Sequence, residues 1–128
     1  MTFTEQRAVE KRAVVLFAHG SRDPLWHKPM EAVAARLLAN EPALAVRCAY
    51  LELSTPDLAS VCQELTAMGV CHVSVVPMFL GVGRHAREDL PLLLAQLRTQ
   101  YPQVLFELKP AVGEDTRLVQ LLAEIAAE

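Results

Sequence analysis

Val73 to Leu80, V-S-V-V-P-M-F-L, is an almost uninterrupted apolar run, and it drives straight into Gly81-Val82-Gly83. A run of this kind suits a strand buried on both faces. The glycines after it let the backbone turn sharply or approach a ligand closely. Arg84, His85 and Arg87 follow in that loop, and a helix is expected from about Asp89. The polar cluster then sits just past the strand's carboxyl end, where open α/β sheets bind ligands.

The rest of the chain repeats the theme. Ala13–Ala18 reads as a first strand, ending in His19-Gly20-Ser21-Arg22-Asp23-Pro24. Lys28–Asn40 reads as a helix with Met30, Val33, Leu37 and Leu38 on one stripe. Leu44–Leu51 is a second strand, followed directly by Glu52. Thr55-Pro56-Asp57 supplies a capping hydroxyl, an N-terminal proline and an early acid for the next helix, which Gly69 closes. His72–Leu80 is the third strand, and the helix from Asp89 to Gln100 tolerates Pro91 in its first turn. Val104–Leu108 is the fourth strand. Glu114–Ala127 is the last helix, with Leu118, Leu121, Leu122 and Ile125 as its expected buried stripe.

Strand and helix alternate four times, which predicts an α/β fold: a four-stranded parallel sheet with right-handed crossovers and helices on both faces. Parallel strands end at one edge of the sheet. His19, Glu52 and His85 each follow a predicted strand, so all three belong on one rim. A chain of 128 residues makes one domain, read here as residues 12–128 behind a flexible leader, residues 1–11. That leader has no apolar core and is no secretory signal. No apolar run approaches the roughly 20 residues of a membrane span. The net charge of −3 argues against a general nucleic-acid binder. Cys48, Cys62 and Cys71 are odd in number and lack C-x-x-C spacing. They read as small buried side chains in a reducing cytoplasm.

Two imidazoles and a carboxylate on one rim make a candidate site for cobalt, nickel, iron or zinc. His72, which opens a strand, reads as structural; His27, beside Trp26 and Lys28, could line a pocket, with surface packing as the first reading. Arg22, Lys28, Arg84 and Arg87 gather cations in the two histidine loops of an acidic protein. They are either solvated partners of Asp23, Glu88 and Asp89 or receivers for a polyanionic ligand, because guanidinium forks match carboxylates. Gly81-Val82-Gly83 lacks the remaining signature of a phosphate loop, and G-x-G alone is weak.

His19-Gly20-Ser21-Arg22-Asp23-Pro24, Leu51-Glu52-Leu53 before Thr55-Pro56, and Val76-Pro77-Met78-Phe79-Leu80-Gly81 leading to Gly83-Arg84-His85 and Asp89-Leu90-Pro91 occur in that order. Together they resemble the short class II tetrapyrrole chelatases, the small CbiX-type and SirB-type sirohydrochlorin chelatases. The resemblance implies insertion of a divalent metal into sirohydrochlorin, on a route to cobalamin or sirohaem. Cobalt is the first expectation, with iron and nickel as alternatives. The metal is a substrate, and no tightly bound cofactor is implied. His19 and His85 would handle the metal and accept pyrrole protons, work that an imidazole can do near neutral pH. Glu52 would balance charge or assist. Ser21, Arg22, Gly83, Arg84 and Arg87 would receive the substrate and its carboxylates. The chain would be a chelatase-like half-unit, with two copies pairing as a homodimer whose rims face each other. Three rivals remain at this point: a non-catalytic metal or tetrapyrrole carrier, a phosphate-binding α/β domain, and a structural subunit beside an active chelatase.

Overall fold

The structure is a computed structural model and describes residues 11–128; the expected leader lies outside them, except for Lys11, which opens the first strand. Four strands, β1 (Lys11–Ala18), β2 (Ala45–Tyr50), β3 (Val70–Pro77) and β4 (Leu105–Leu108), form one sheet in the order β2-β1-β3-β4. Every pairing is parallel, as the strand–helix alternation predicts. Helix α1 (Lys28–Asn40) packs on one face, and α2 (Leu58–Ala67) and α3 (Arg84–Gln100) on the other. A last helix, α4 (Thr116–Ala127), follows β4 and a short 3-10 turn, Val112–Glu114.

The α2/α3 side holds the larger core. Phe17, Leu65, Leu94, Val15, Val73, Val75 and Cys62 are completely enclosed there. Removing a side chain such as Leu94 would cost about 2–5 kcal/mol through lost transfer energy and the cavity left behind. The other side is thinner. Leu16, Ala18, Met30 and Tyr50 are its buried members. Of the stripe expected on α1, only Met30 is buried, while Val33 and Leu38 remain 42% and 48% exposed.

Several boundaries differ from the sequence reading for local reasons. The α2 cap is Asp57 rather than Thr55. Its carboxylate accepts the Ser60 N–H at 2.8 Å, and the Tyr50 N–H binds the Pro56 carbonyl, which holds Pro56 against the end of β2 and outside the helix. Helix α3 begins at Arg84, five residues before the expected start at Asp89. Gly83 is its N-cap, so Arg84, His85 and Arg87 belong to helical turns and not to a loop. Pro91 consequently lies inside the helix, where it deprives the Arg87 carbonyl of its usual partner. Burial of Ala86, Leu90, Leu94 and Leu97 along one face outweighs that loss. The backbone bends at Leu80 and Gly81, but neither Gly81 nor Gly83 has a positive φ or a crowded Cβ position, so the bend does not itself require glycine.

The clearest correction concerns α4. Its expected stripe is not buried: none of its residues is enclosed, and Leu121, Leu122 and Ile125 are 50%, 39% and 55% exposed. A twelve-residue helix without packing is marginal in water. Its N-cap therefore matters. Asp115 accepts the Arg117 N–H at 2.8 Å and pairs with the Arg117 guanidinium, which lowers its pKa from 3.8 to about 2. A lowered carboxyl pKa contributes stability above the unfolded value and loses it as pH falls towards the folded one. Helical circular dichroism should therefore decline between about pH 4 and pH 2, and Asp115→Ala should produce the same fraying at neutral pH.

Candidate metal and macrocycle site

Strand order reverses beside β1. The chain leaves β1 towards β2 on one side, then returns to place β3 on the other. This is the topological switch point, and the crevice outside the carboxyl ends of β1 and β3 is the expected ligand position. His19 stands there, one residue beyond β1. Its ring is exposed and stacks on Phe79, two residues beyond β3, with centroids 4.4 Å apart. Phe79 is buried and meets Phe17 edge-on at 6.2 Å, so the imidazole rests on an aromatic floor anchored in the core.

Glu52 is adjacent. Its N–H donates to the His19 carbonyl at 2.9 Å, extending the β1–β2 ladder past the ends of both strands. The approach leaves no space at Gly20, whose φ is +103°; a Cβ at this position would sit 1.7 Å from the Glu52 carbonyl oxygen. Only glycine fits there without displacement. His85 is exposed in the first turn of α3. The structure thus joins His19 to Glu52 through the backbone and puts His85 on the helix that leaves the same edge. Among the described residues, no three His, Cys, Asp or Glu side chains converge as a ready-made metal cage.

The cationic residues divide between two places. Arg22 and Ser21 line a cleft of about 530 Å³ with His27, Leu53 and Ser54. Arg87 lines a separate groove with Val82, Leu90, Lys109 and Glu114. Arg84 reaches Glu88 at 3.2 Å, an exposed pair one helical turn apart. Such a pair is worth little, leaving the guanidinium available to another anion. Lys28 opens α1 and is exposed.

Of the two readings of His27, the pocket-lining one holds: it is half-buried, lines the cleft and joins the site's frame. Its ring stacks on Tyr50 at 4.8 Å, and its Nε2 lies 2.9 Å from Ser54 Oγ. Ser54 Oγ donates to the Ser21 carbonyl at 2.7 Å and accepts the Ser21 N–H at 2.9 Å. The hydroxyl's single proton is therefore committed, and His27 must donate its Nε2–H to it. This arrangement is no nucleophile–base pair. It fastens the loop after β1 to the loop after β2. The same strand-end rule that singles out Glu52 covers Ser54, but no spacing in the sequence signals the connection to His27. Ser54→Ala leaves both Ser21 backbone groups without this partner, which should cost about 1–3 kcal/mol. A thermal melt lowered by several degrees, with Ser54→Thr partly restoring it, is the expected result.

Beside the polar residues stand large apolar ones. Leu25, Leu53 and Leu80 are 64%, 55% and 70% exposed, one on each of the three strand-end segments that carry the candidates. Leu53 is also held at a φ of 63°, an uncommon conformation for a side chain of its size. A rim of alternating imidazole, carboxylate and leucine suits a large ligand with flat apolar faces and charged edges.

The CbiX family model matches residues 13–128 of this chain. Sirohydrochlorin ferrochelatase of Bacillus subtilis (strain 168) is 27% identical over 113 residues, covering 86% of this chain and 42% of that protein. Sirohydrochlorin cobaltochelatase of Methanococcoides burtonii is 28% identical over 85 residues, covering 66% of this chain and 65% of that protein. The chain thus spans less than two-thirds of the length of either relative. The crystal structure of a CbiX protein from Marinobacter aquaeolei VT8 superposes with a TM-score of 0.79 at 29% identity, covering 91% of this chain and 94% of that one.

Proposed function

The chain belongs to the CbiX family, and we propose that it is a sirohydrochlorin chelatase, inserting a divalent metal into the tetrapyrrole for cobalamin or sirohaem biosynthesis. Cobalt is the first candidate, and iron or nickel the alternatives. The relatives' names divide between cobalt and iron. The observation that carries the reading is the composite rim. An exposed imidazole at the switch point stands on Phe79, Glu52 lies beside it, and exposed leucines project from all three strand-end segments.

Insertion makes three demands. The metal must be held and partly dehydrated, two pyrrole protons must leave, and the macrocycle must be oriented. His19 and His85 take the first two roles, binding the metal in exchange for water and accepting pyrrole protons when unligated. Incomplete ligation suits this work, because the metal must be released into the ring. Glu52 offsets the cation's charge. Leu25, Leu53 and Leu80 meet the ring's faces, while Ser21, Arg22, Arg84, Arg87 and the backbone at Gly83 receive its carboxylates. The protein acts in the cytoplasm as a homodimer in which a second rim closes the cleft over the macrocycle. Among the described residues, no helix is long and apolar enough to cross a membrane.

The test is anaerobic insertion into authentic sirohydrochlorin, followed by absorbance, with cobalt, nickel and ferrous iron in parallel. Acceleration above the uncatalysed rate supports the chelatase and ranks its metals. Binding of metal and tetrapyrrole without acceleration assigns the protein as a carrier instead.

A further inference from the structure

The imidazole of His19 is placed by a residue from another strand end. Its backbone carbonyl is held by the Glu52 N–H, but its ring is supported by Phe79, stacked at 4.4 Å with 30° between the planes. Where the ring sits therefore depends on where Phe79 sits. Phe79 lies two residues past β3, beyond the strand's own ladder. Two backbone hydrogen bonds fix this stretch instead. The Met78 N–H donates to the Phe17 carbonyl at 2.8 Å, and the Phe79 carbonyl accepts the Gly113 N–H at 2.9 Å. The second bond comes from the 3-10 turn after β4, Val112–Glu114.

Gly113 does more than donate a hydrogen bond. A Cβ at this position would stand 1.8 Å from the Leu80 carbonyl oxygen, 2.4 Å from its carbonyl carbon and 2.6 Å from its Cα. All three are backbone atoms, so the turn lies flush on the Leu80 peptide and no rotamer change makes room for a side chain. The φ of Gly113 is not positive, so space, and not backbone freedom, is what asks for glycine here. Ala111, two residues earlier, is buried in the same core cluster as Phe79 and anchors the approach. We propose that Gly113 is a positioning residue for His19: its close approach to Phe79 and Leu80 sets the aromatic floor on which the metal-handling imidazole rests.

The consequence of a side chain at 113 follows from what can move. The β3 end is pinned to Phe17, whereas the turn carries only α4, none of whose residues is enclosed. An added methyl therefore swings the turn outward, breaks the bond to the Phe79 carbonyl and leaves Phe79 and Leu80 free to shift, with little core opened. Leu80, 70% exposed, moves with its neighbour. Groups that orient a metal ligand from behind contribute about 10–100-fold in affinity or activity, and this is the size of loss expected. What His19 does rests on the chelatase reading; how its ring is held does not.

Proton NMR of the full chain, without metal or tetrapyrrole, tests the placement, and cobalt insertion kinetics test its effect. The His19 ring protons, assigned by their loss in His19→Ala, should lie upfield of those of exposed His85, because they stand over the face of Phe79. Phe79→Leu should abolish that shift, and Gly113→Ala should reduce it. Both folded variants should lose about 10–100-fold in kcat, and Phe79→Leu should leave KM for sirohydrochlorin within about twofold. A purely structural role would lower the melting point of Gly113→Ala while leaving its His19 signals and kcat unchanged, and that result overturns the proposal. So does a wild-type His19 whose ring protons match those of His85. Should Gly113→Ala not fold, the wild-type Gly113 amide decides: slow hydrogen exchange supports the bond to Phe79, and exchange at the rate of a free amide overturns it. A wild type that inserts no metal removes the chelatase reading, while the NMR shifts still settle how the ring is held.

Discussion

His19→Ala should abolish most of the acceleration of metal insertion, by roughly 100-fold or more, while leaving the fold intact. The asymmetry follows from what the ring touches. Its stacking contact is with Phe79, the residue is exposed, and among the described residues no hydrogen bond of the imidazole ties it to another element. An exposed stacked pair of this type contributes about 1 kcal/mol, so a melting point within a few degrees of the parent is expected. Phe79 itself is buried against Phe17 and keeps its place without the imidazole. His85→Ala should behave similarly, because His85 is exposed in the first turn of α3, where alanine is a good helix former. The two losses should not add if the histidines act on one metal in one step. Parallel assays with cobalt, nickel and ferrous iron distinguish loss of chemistry from changed metal preference. Normal rates in both folded variants would remove the histidines from the mechanism and overturn the proposed assignment.

The site's location is more legible in the sequence than its fastening. A parallel sheet puts all strand ends on one edge, so His19 and Glu52 can be placed together without knowledge of their side chains; the 2.9 Å backbone bond between them realises that rule. Helix α1 is legible to both boundaries because its periodicity lies between two breaks, while α3 is not. Pro91 suggests a helix start, but the amphipathic face through Ala86, Leu90 and Leu94 overrides that local signal. The stripe on α4 is legible as a stripe. Periodicity identifies an apolar face, but it does not identify what covers that face. His27 escapes for a different reason. Its role depends on Ser54 and Tyr50, brought to it from β2 and the loop that follows, and pairings between distant segments leave no mark in a single sequence.

Gly20→Ala should be the most damaging small substitution on the rim. Its methyl group would sit 1.7 Å from the Glu52 carbonyl oxygen and 2.9 Å from its carbon, against a van der Waals contact of about 3.5 Å. Both obstructing atoms are backbone, so no rotamer change relieves the clash. The native φ of +103° adds a conformational penalty of order 1–2 kcal/mol for any L side chain. The combined cost should exceed about 3 kcal/mol, lowering the melting point by roughly 10 °C for a domain of this size. Whatever movement accommodates the methyl must also separate His19 from Glu52, whose backbones bond across this position, or pull Ser21 from Ser54. Insertion should therefore fail even at temperatures where the variant remains folded. Gly83→Ala is the control: its added methyl meets nothing within 4 Å, and its φ of −65° is ordinary. Alanine is the poorer N-cap, so that variant should melt a few degrees below the wild type at most, and any larger activity loss would reflect contact with substrate at the start of α3. Equal melting points for the two variants would show that the approach of Gly20 to Glu52 does not constrain the rim.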